Sequence, residues 1–245
     1  MRSDGEFISP SDISSNRQLI TKELSNIQLK IDNFQQLLLD DSEVMYYERE
    51  LDWYLRNCTQ LKPLIITEMN DNEERRSLKT LSLELIKCIN RCGRHSNYGK
   101  MCLCEKNING ITQFDWVTDR LRKDPRSRQA ITFYNQSKYQ YYSNVDFVCC
   151  LSQMFNIIDN KLNTTVNCRS NDIINSFRFD MIWWRVYQNI IKNSLKDIYP
   201  NLELGYMMCN IYSAHYYIKD EYKIDTINQL TKTNTFKSIN EYYLK

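Results

Sequence analysis

The run from Phe179 to Leu195 constrains the fold more than any other part of the chain. Its apolar residues Met181, Ile182, Trp183, Val186, Ile190 and Ile191 have the length and spacing of a buried helix. Around it, 130–134, 145–158, 161–166 and 202–212 are rich in β-branched, aromatic and Met residues and read as strands. Asp159-Asn160 between two of them is a hairpin signal. A buried helix set between strands needs a sheet to lie against, so the expected class is α+β.

The earlier part of the chain reads as helical. Leu19, Ile20, Leu24, Ile27, Leu29, Ile31, Phe34 and Leu37 suggest one long amphipathic helix over 17–40. Val44, Tyr47, Leu51 and Tyr54 form the stripe of a second, with Ser42 as its N-cap. Leu78–Ile89 is a third candidate, and Phe114–Leu121 a short fourth that Asp124-Pro125 ends, because proline cannot continue the hydrogen-bond ladder. There is no internal repeat or linker, so residues 1–245 are read as a single domain, with 1–42 as a divergent helical segment.

A net charge of +2, from 32 Lys and Arg against 30 Asp and Glu, gives no field to attract a nucleic-acid backbone. Apolar runs are far short of the roughly 20 residues that span a bilayer, and the first residues have no apolar signal core. The expected setting is the cytoplasm, that of a host if the source is viral. Nine cysteines without repeated spacing argue for reduced thiols. Cys88, Cys92, His95, Cys102 and Cys104 cluster, but a C-x-C pair is awkward for a tetrahedral site, and no metal is expected.

Five features can carry chemistry: Glu50 in an apolar helix stripe, Cys149-Cys150 in a strand, the run from Cys168 to Asp172, Asp180 at a helix start, and His215-Tyr216-Tyr217. Each alone has a plain structural explanation: core thiol, solvated face, helix cap or hydrogen-bonded side chain. Their order and spacing add more. Tyr47–Tyr54, Ser96-Asn97-Tyr98-Gly99, Asp124-Pro125-Arg126-Ser127-Arg128, Asp146-Phe147-Val148-Cys149, Arg169-Ser170-Asn171-Asp172, Phe177–Asp180 and Ser213–Tyr217 follow one another, with Arg169 20 positions after Cys149. In this order they resemble the thymidylate synthase superfamily, and within it the phage deoxycytidylate hydroxymethylases. The likeness covers about 43–218 and is poor between 56 and 95.

The resemblance implies a thymidylate synthase-like fold, a mixed β-sheet packed on the central helix, here with an added helical N-terminal region. It implies an enzyme that transfers a one-carbon unit from 5,10-methylenetetrahydrofolate to carbon 5 of a pyrimidine nucleotide. Cys149 would be the nucleophile at carbon 6, Glu50 the proton relay, and Asp180 the reader of the base. Arg169, Ser170 and Arg128 would hold phosphate, His215 and Tyr217 the sugar, and Asp172 would face the folate. Arg128 would reach across a homodimer interface. Aspartate at 180, where the synthases carry asparagine, suits dCMP: one oxygen accepts from the 4-amino group and a protonated one serves ring nitrogen 3. The departures are Gln129 for a second arginine, Ser176 for a glycine, and Cys150 directly after the nucleophile. Two rivals stay open, a synthase-type enzyme acting on dUMP and a non-catalytic descendant serving as a binding or assembly subunit.

Overall fold

The structure is a computed structural model that describes residues 6–8, 20–32, 38–39, 50–51, 53–55, 96–142, 144, 147–224 and 237–238. The expected helix over 78–89, the N-cap Ser42, and Cys58, Cys88, Cys92 and His95 lie outside the described residues.

The strands in chain order are β1 (Glu6–Ile8), β2 (Ile20–Ile31), β3 (Leu38–Leu39), β4 (Ile131–Phe133), β5 (Cys150–Ile158), β6 (Lys161–Cys168), β7 (Asn171–Asp172), β8 (Glu203–Tyr217) and β9 (Lys237–Ser238). The main sheet has the order β1-β2-β8-β6-β5-β4, with β7 also pairing β8, and β3 pairs β9 separately. It is mixed: β6 and β7 run parallel to β8, while the other pairs of the main sheet are antiparallel. The helices are α1 (Gln113–Lys123) and α2 (Phe177–Ser194).

The hairpin forms as the residue types demand. Asp159 and Asn160 have φ values of 51° and 57°, the left-handed pair of a tight two-residue turn that matches the twist of its strands. β6 and β8 are parallel and need a long crossover. That crossover carries α2, whose buried residues run from Met181 to Val186 and on to Tyr187, Gln188, Ile190 and Ile191. A helix buried on so many sides belongs inside a core. Trp183 is 0% exposed, stacks on Tyr187 at 5.7 Å and meets Tyr54 edge-on at 5.0 Å. Polar groups among these rings are paired: Trp183 Nε1 donates to Tyr134 Oη (3.2 Å), which donates to Gln153 Oε1 (2.7 Å), and Gln153 Nε2 donates to the Trp184 carbonyl (3.0 Å). α1 starts in a capping box of Thr112 and Asp115.

Three expectations are corrected. The segment read as a helix over 17–40 contains a strand, β2, paired along β8 from Thr21↔Tyr217 to Ile31↔Met207. The i, i+4 spacing that suggested a helix is also an even spacing: Ile27 and Ile31, four apart on one face of the strand, pack against the core, while Ile20, Leu24 and Leu29 stay exposed. Cys149 does not lie in a strand; β5 begins at Cys150. The carbonyls of Phe147 and Val148 accept from the Arg169 side chain, and the Cys149 carbonyl accepts from the Arg169 backbone N–H just beyond the end of the β5–β6 pairing. The thiols are not uniformly reduced: Cys102, Cys149, Cys150, Cys168 and Cys209 carry free thiols, but Cys104 is disulfide-bonded.

Candidate active site

The sheet delivers the chemistry-bearing residues to one edge. Because β6 and β8 are parallel, their carboxyl ends lie side by side, with Cys168 opposite Ile211. The antiparallel β5 begins at the same edge, with Cys150 opposite Cys168. Cys149 just before β5, Arg169 and Ser170 just after β6, and His215 and Tyr217 at the end of β8 therefore meet by topology.

Arg169 folds back over the segment before Cys149. Its Nε donates to the Val148 carbonyl at 3.1 Å, its Nη2 to the Phe147 carbonyl at 2.6 Å, and its backbone N–H to the Cys149 carbonyl at 3.0 Å. The guanidinium carbon stands 4.9 Å over the Phe147 ring. A fixed positive charge thus sits beside Cys149, and the five N–H groups of the guanidinium leave donors for an anion. Cys149 is partly exposed, whereas the other free thiols among the described residues are buried. Cys150 is inert by contrast: burial first, then the Cys168 thiol, push its pKa up.

At the end of β8, Ser170 Oγ and His215 Nδ1 are 3.2 Å apart, and the His215 and Tyr217 rings meet edge-on at 5.6 Å. Glu50 is partly buried and accepts from Tyr54 Oη at 3.1 Å. Its helix is clamped to the loop at 96–99: Asn97 Nδ2 donates to the Trp53 carbonyl at 3.1 Å. A Cβ on Gly99 would come within 2.0 Å of the Tyr54 carbonyl oxygen, so only glycine permits this approach. Tyr98, buried in the same loop, has its pKa raised by burial first and then by Asp180, Cys150 and Cys149, which puts loop, thiol and carboxyl in one electrostatic neighbourhood.

Asp180 stands in the first turn of α2. Although the residue keeps some solvent contact, protein atoms crowd its carboxyl, and burial raises its pKa from 3.8 to about 7. The negative charge of Glu50 adds to the rise, and a hydrogen bond from Asn171 Nδ2 (2.9 Å) opposes it. The raised value has a stability consequence. Between about pH 4 and 7 the folded protein holds a proton that the unfolded chain has lost, so this group makes stability fall as pH rises through that window. Above about 7 its contribution is flat. Melting temperatures of the protein and Asp180→Asn across that range check this: the variant is expected to lose a slope of up to roughly 1.4 kcal/mol per pH unit.

Asp172 is placed otherwise than a free ligand carboxylate. Its Oδ1 accepts from the backbone N–H groups of Ile174 and Asn175, both at 3.0 Å, and its Oδ2 from Asn175 Nδ2 at 2.8 Å. Ser176, found where a glycine was expected, has φ −116°, which any side chain tolerates. Arg128 is exposed beyond α1. Gln129 accepts from Arg120 Nη1 at 3.4 Å. Sequence reading singled out neither Tyr54 nor Asn171 for a site role. The i, i+4 spacing of Glu50 and Tyr54 is a signal that could have found the first; the second depends on the β7–α2 turn.

This edge of the mixed sheet brings together a half-open thiol, a guanidinium beside it and a neutralisable carboxyl. The chain belongs to the thymidylate synthase family, which it matches over residues 16–240. That is a family of one-carbon transferases that use methylenetetrahydrofolate and a pyrimidine nucleotide. Among its relatives are the deoxycytidylate 5-hydroxymethyltransferases of Enterobacteria phages T4 and T6, each 27% identical over 186 residues, 74% of this chain and 70% of the relative. The thermostable thymidylate synthase A from Bacillus subtilis has the same fold, with a TM-score of 0.54 at 21% identity, covering 89% of this chain and 73% of that one. Among the described residues no helix is long and apolar enough to cross a membrane, and no group of three or more His, Cys, Asp and Glu is placed to hold a metal ion.

Proposed function

We propose that this protein is a deoxycytidylate 5-hydroxymethyltransferase, which adds a one-carbon unit from methylenetetrahydrofolate to carbon 5 of dCMP and completes the reaction with water. The observation that carries the reading is Asp180, a carboxyl whose pKa near 7 lets it offer one donor and one acceptor to the cytosine edge. Uracil presents the reverse pattern, and a mismatch would bury unpaired polar groups.

Carbon 5 of the base is a weak nucleophile. Addition of the Cys149 thiolate to carbon 6 pushes electrons onto carbon 5 and splits a hard step into easier ones. Arg169 favours that thiolate through its charge and offers its remaining N–H groups to the nucleotide phosphate. Ser170 adds a hydroxyl to the phosphate, and His215 and Tyr217 hold the sugar. Glu50, oriented by Tyr54, moves protons to and from the base through water. Methylenetetrahydrofolate supplies the one-carbon unit when bound; Asp172 contributes to its site by shaping the 172–175 turn. Thymidylate synthases are dimers, and exposed Arg128 is suited to reach the phosphate of a partner's site in a homodimer.

Incubation with methylenetetrahydrofolate and either dCMP or dUMP, with nucleotides resolved by mass, tests the reading. The expected product is hydroxymethyl-dCMP, with tetrahydrofolate released. Product from dUMP alone, or dihydrofolate release, contradicts it.

A further inference from the structure

Asn171 lies in β7 opposite Ala214 of β8 and is 1% exposed. Its Nδ2 donates to Asp180 Oδ2 at 2.9 Å, while its Oδ1 is buried with no hydrogen-bond partner. The side chain is therefore committed to Asp180 through its donor end. The opposite orientation would set a carbonyl oxygen against the carboxylate. An amide N–H can only donate, so Asp180 Oδ2 is held as an acceptor, and a proton taken up by the carboxyl goes to Oδ1.

A carboxylic acid standing alone is ambiguous, because its proton can sit on either oxygen. It can present donor and acceptor in either order, and that order is the difference between the cytosine and uracil edges. Once the ring is fixed by its bond to Cys149 and by the sugar contacts, a carboxyl with a fixed order accepts one base and rejects the other. The crowding and the nearby Glu50 charge keep a proton available to Asp180 near neutrality, so its placement matters.

We propose that Asn171 is a positioning residue that sets base specificity, by holding one Asp180 oxygen as a standing acceptor so that the carboxyl complements cytosine alone. It acts through Asp180 and does not itself touch the nucleotide. The inference rests on the proposed function, in which Asp180 reads the base.

Asn171→Leu keeps the side chain's bulk and removes the donor, and Asn171→Ala removes both. Dissociation constants for dCMP, dUMP and deoxyribose 5-phosphate, measured by calorimetry on variants whose folding is verified by melting, test the assignment without recourse to turnover. The wild type is expected to prefer dCMP. In both variants the dCMP-to-dUMP preference is expected to fall at least about tenfold, with binding of the base-free sugar phosphate unchanged. A preference that survives both substitutions, or a uniform loss that includes deoxyribose 5-phosphate, overturns the inference and leaves the reading of Asp180 standing. A wild type indifferent to the base overturns both.

Discussion

Cys149→Ala is expected to lower turnover by at least about three orders of magnitude while leaving nucleotide binding nearly intact. Removing a nucleophile that works as part of a unit costs close to the whole of what that unit contributes. Binding should survive because the groups proposed to hold phosphate and sugar are braced independently: Arg169 by the carbonyls of Phe147 and Val148, and His215 by its contacts with Ser170 and Tyr217. Stability should change by only about 1 kcal/mol or less, since the side chain is small and partly exposed. Cys150 cannot take over, because burial holds its thiol protonated. Steady-state rates and dissociation constants for dCMP on the same preparation check this; a variant that keeps a tenth of the activity places the chemistry elsewhere.

The second large effect is expected at Asp180. Asp180→Asn replaces the carboxyl that Asn171 faces donor-first with an amide, and two facing amides can pair either way round. The fixed order of donor and acceptor is lost, and dUMP becomes admissible. The ratio of kcat/KM for dCMP over dUMP is expected to fall by roughly two orders of magnitude or more, within the range reached by sites that discriminate through hydrogen bonds. The ratio is read from competition between the two nucleotides in one reaction. An unchanged ratio with both rates reduced alike would mean that Asp180 braces the first turn of α2 and does not read the base.

Much of this was legible in the residues, for identifiable reasons. α2 was readable because an apolar stripe of that length has few alternatives, and the β5–β6 hairpin because Asp159 and Asn160 tolerate positive φ. Cys149 and Arg169 stand at the two open ends of the β5–β6 hairpin, and β7 with its turn into α2 links Arg169 to Asp180, so that spacing follows from local structure. β2 was not legible: its i, i+4 spacing serves helix and strand equally, and the deciding partner, β8, lies about 190 residues away in the chain. Arg169's grip on the carbonyls of Phe147 and Val148 is likewise a tertiary event, which the local residue pattern does not announce. Asp172 stood in the motif as a carboxylate facing folate, yet both its oxygens close a turn.

In the proposed mechanism, addition of the Cys149 thiolate to carbon 6 of cytosine makes carbon 5 basic before any one-carbon unit arrives. Incubating dCMP with the protein in deuterated water, without folate, and following the carbon 5 proton by NMR tests that step alone. The expected result is loss of the signal as deuterium enters at carbon 5 with the wild type, and no loss with Cys149→Ala. Exchange that proceeds equally in the variant, or hydroxymethyl-dCMP formed by a protein lacking the Cys149 thiol, would contradict it.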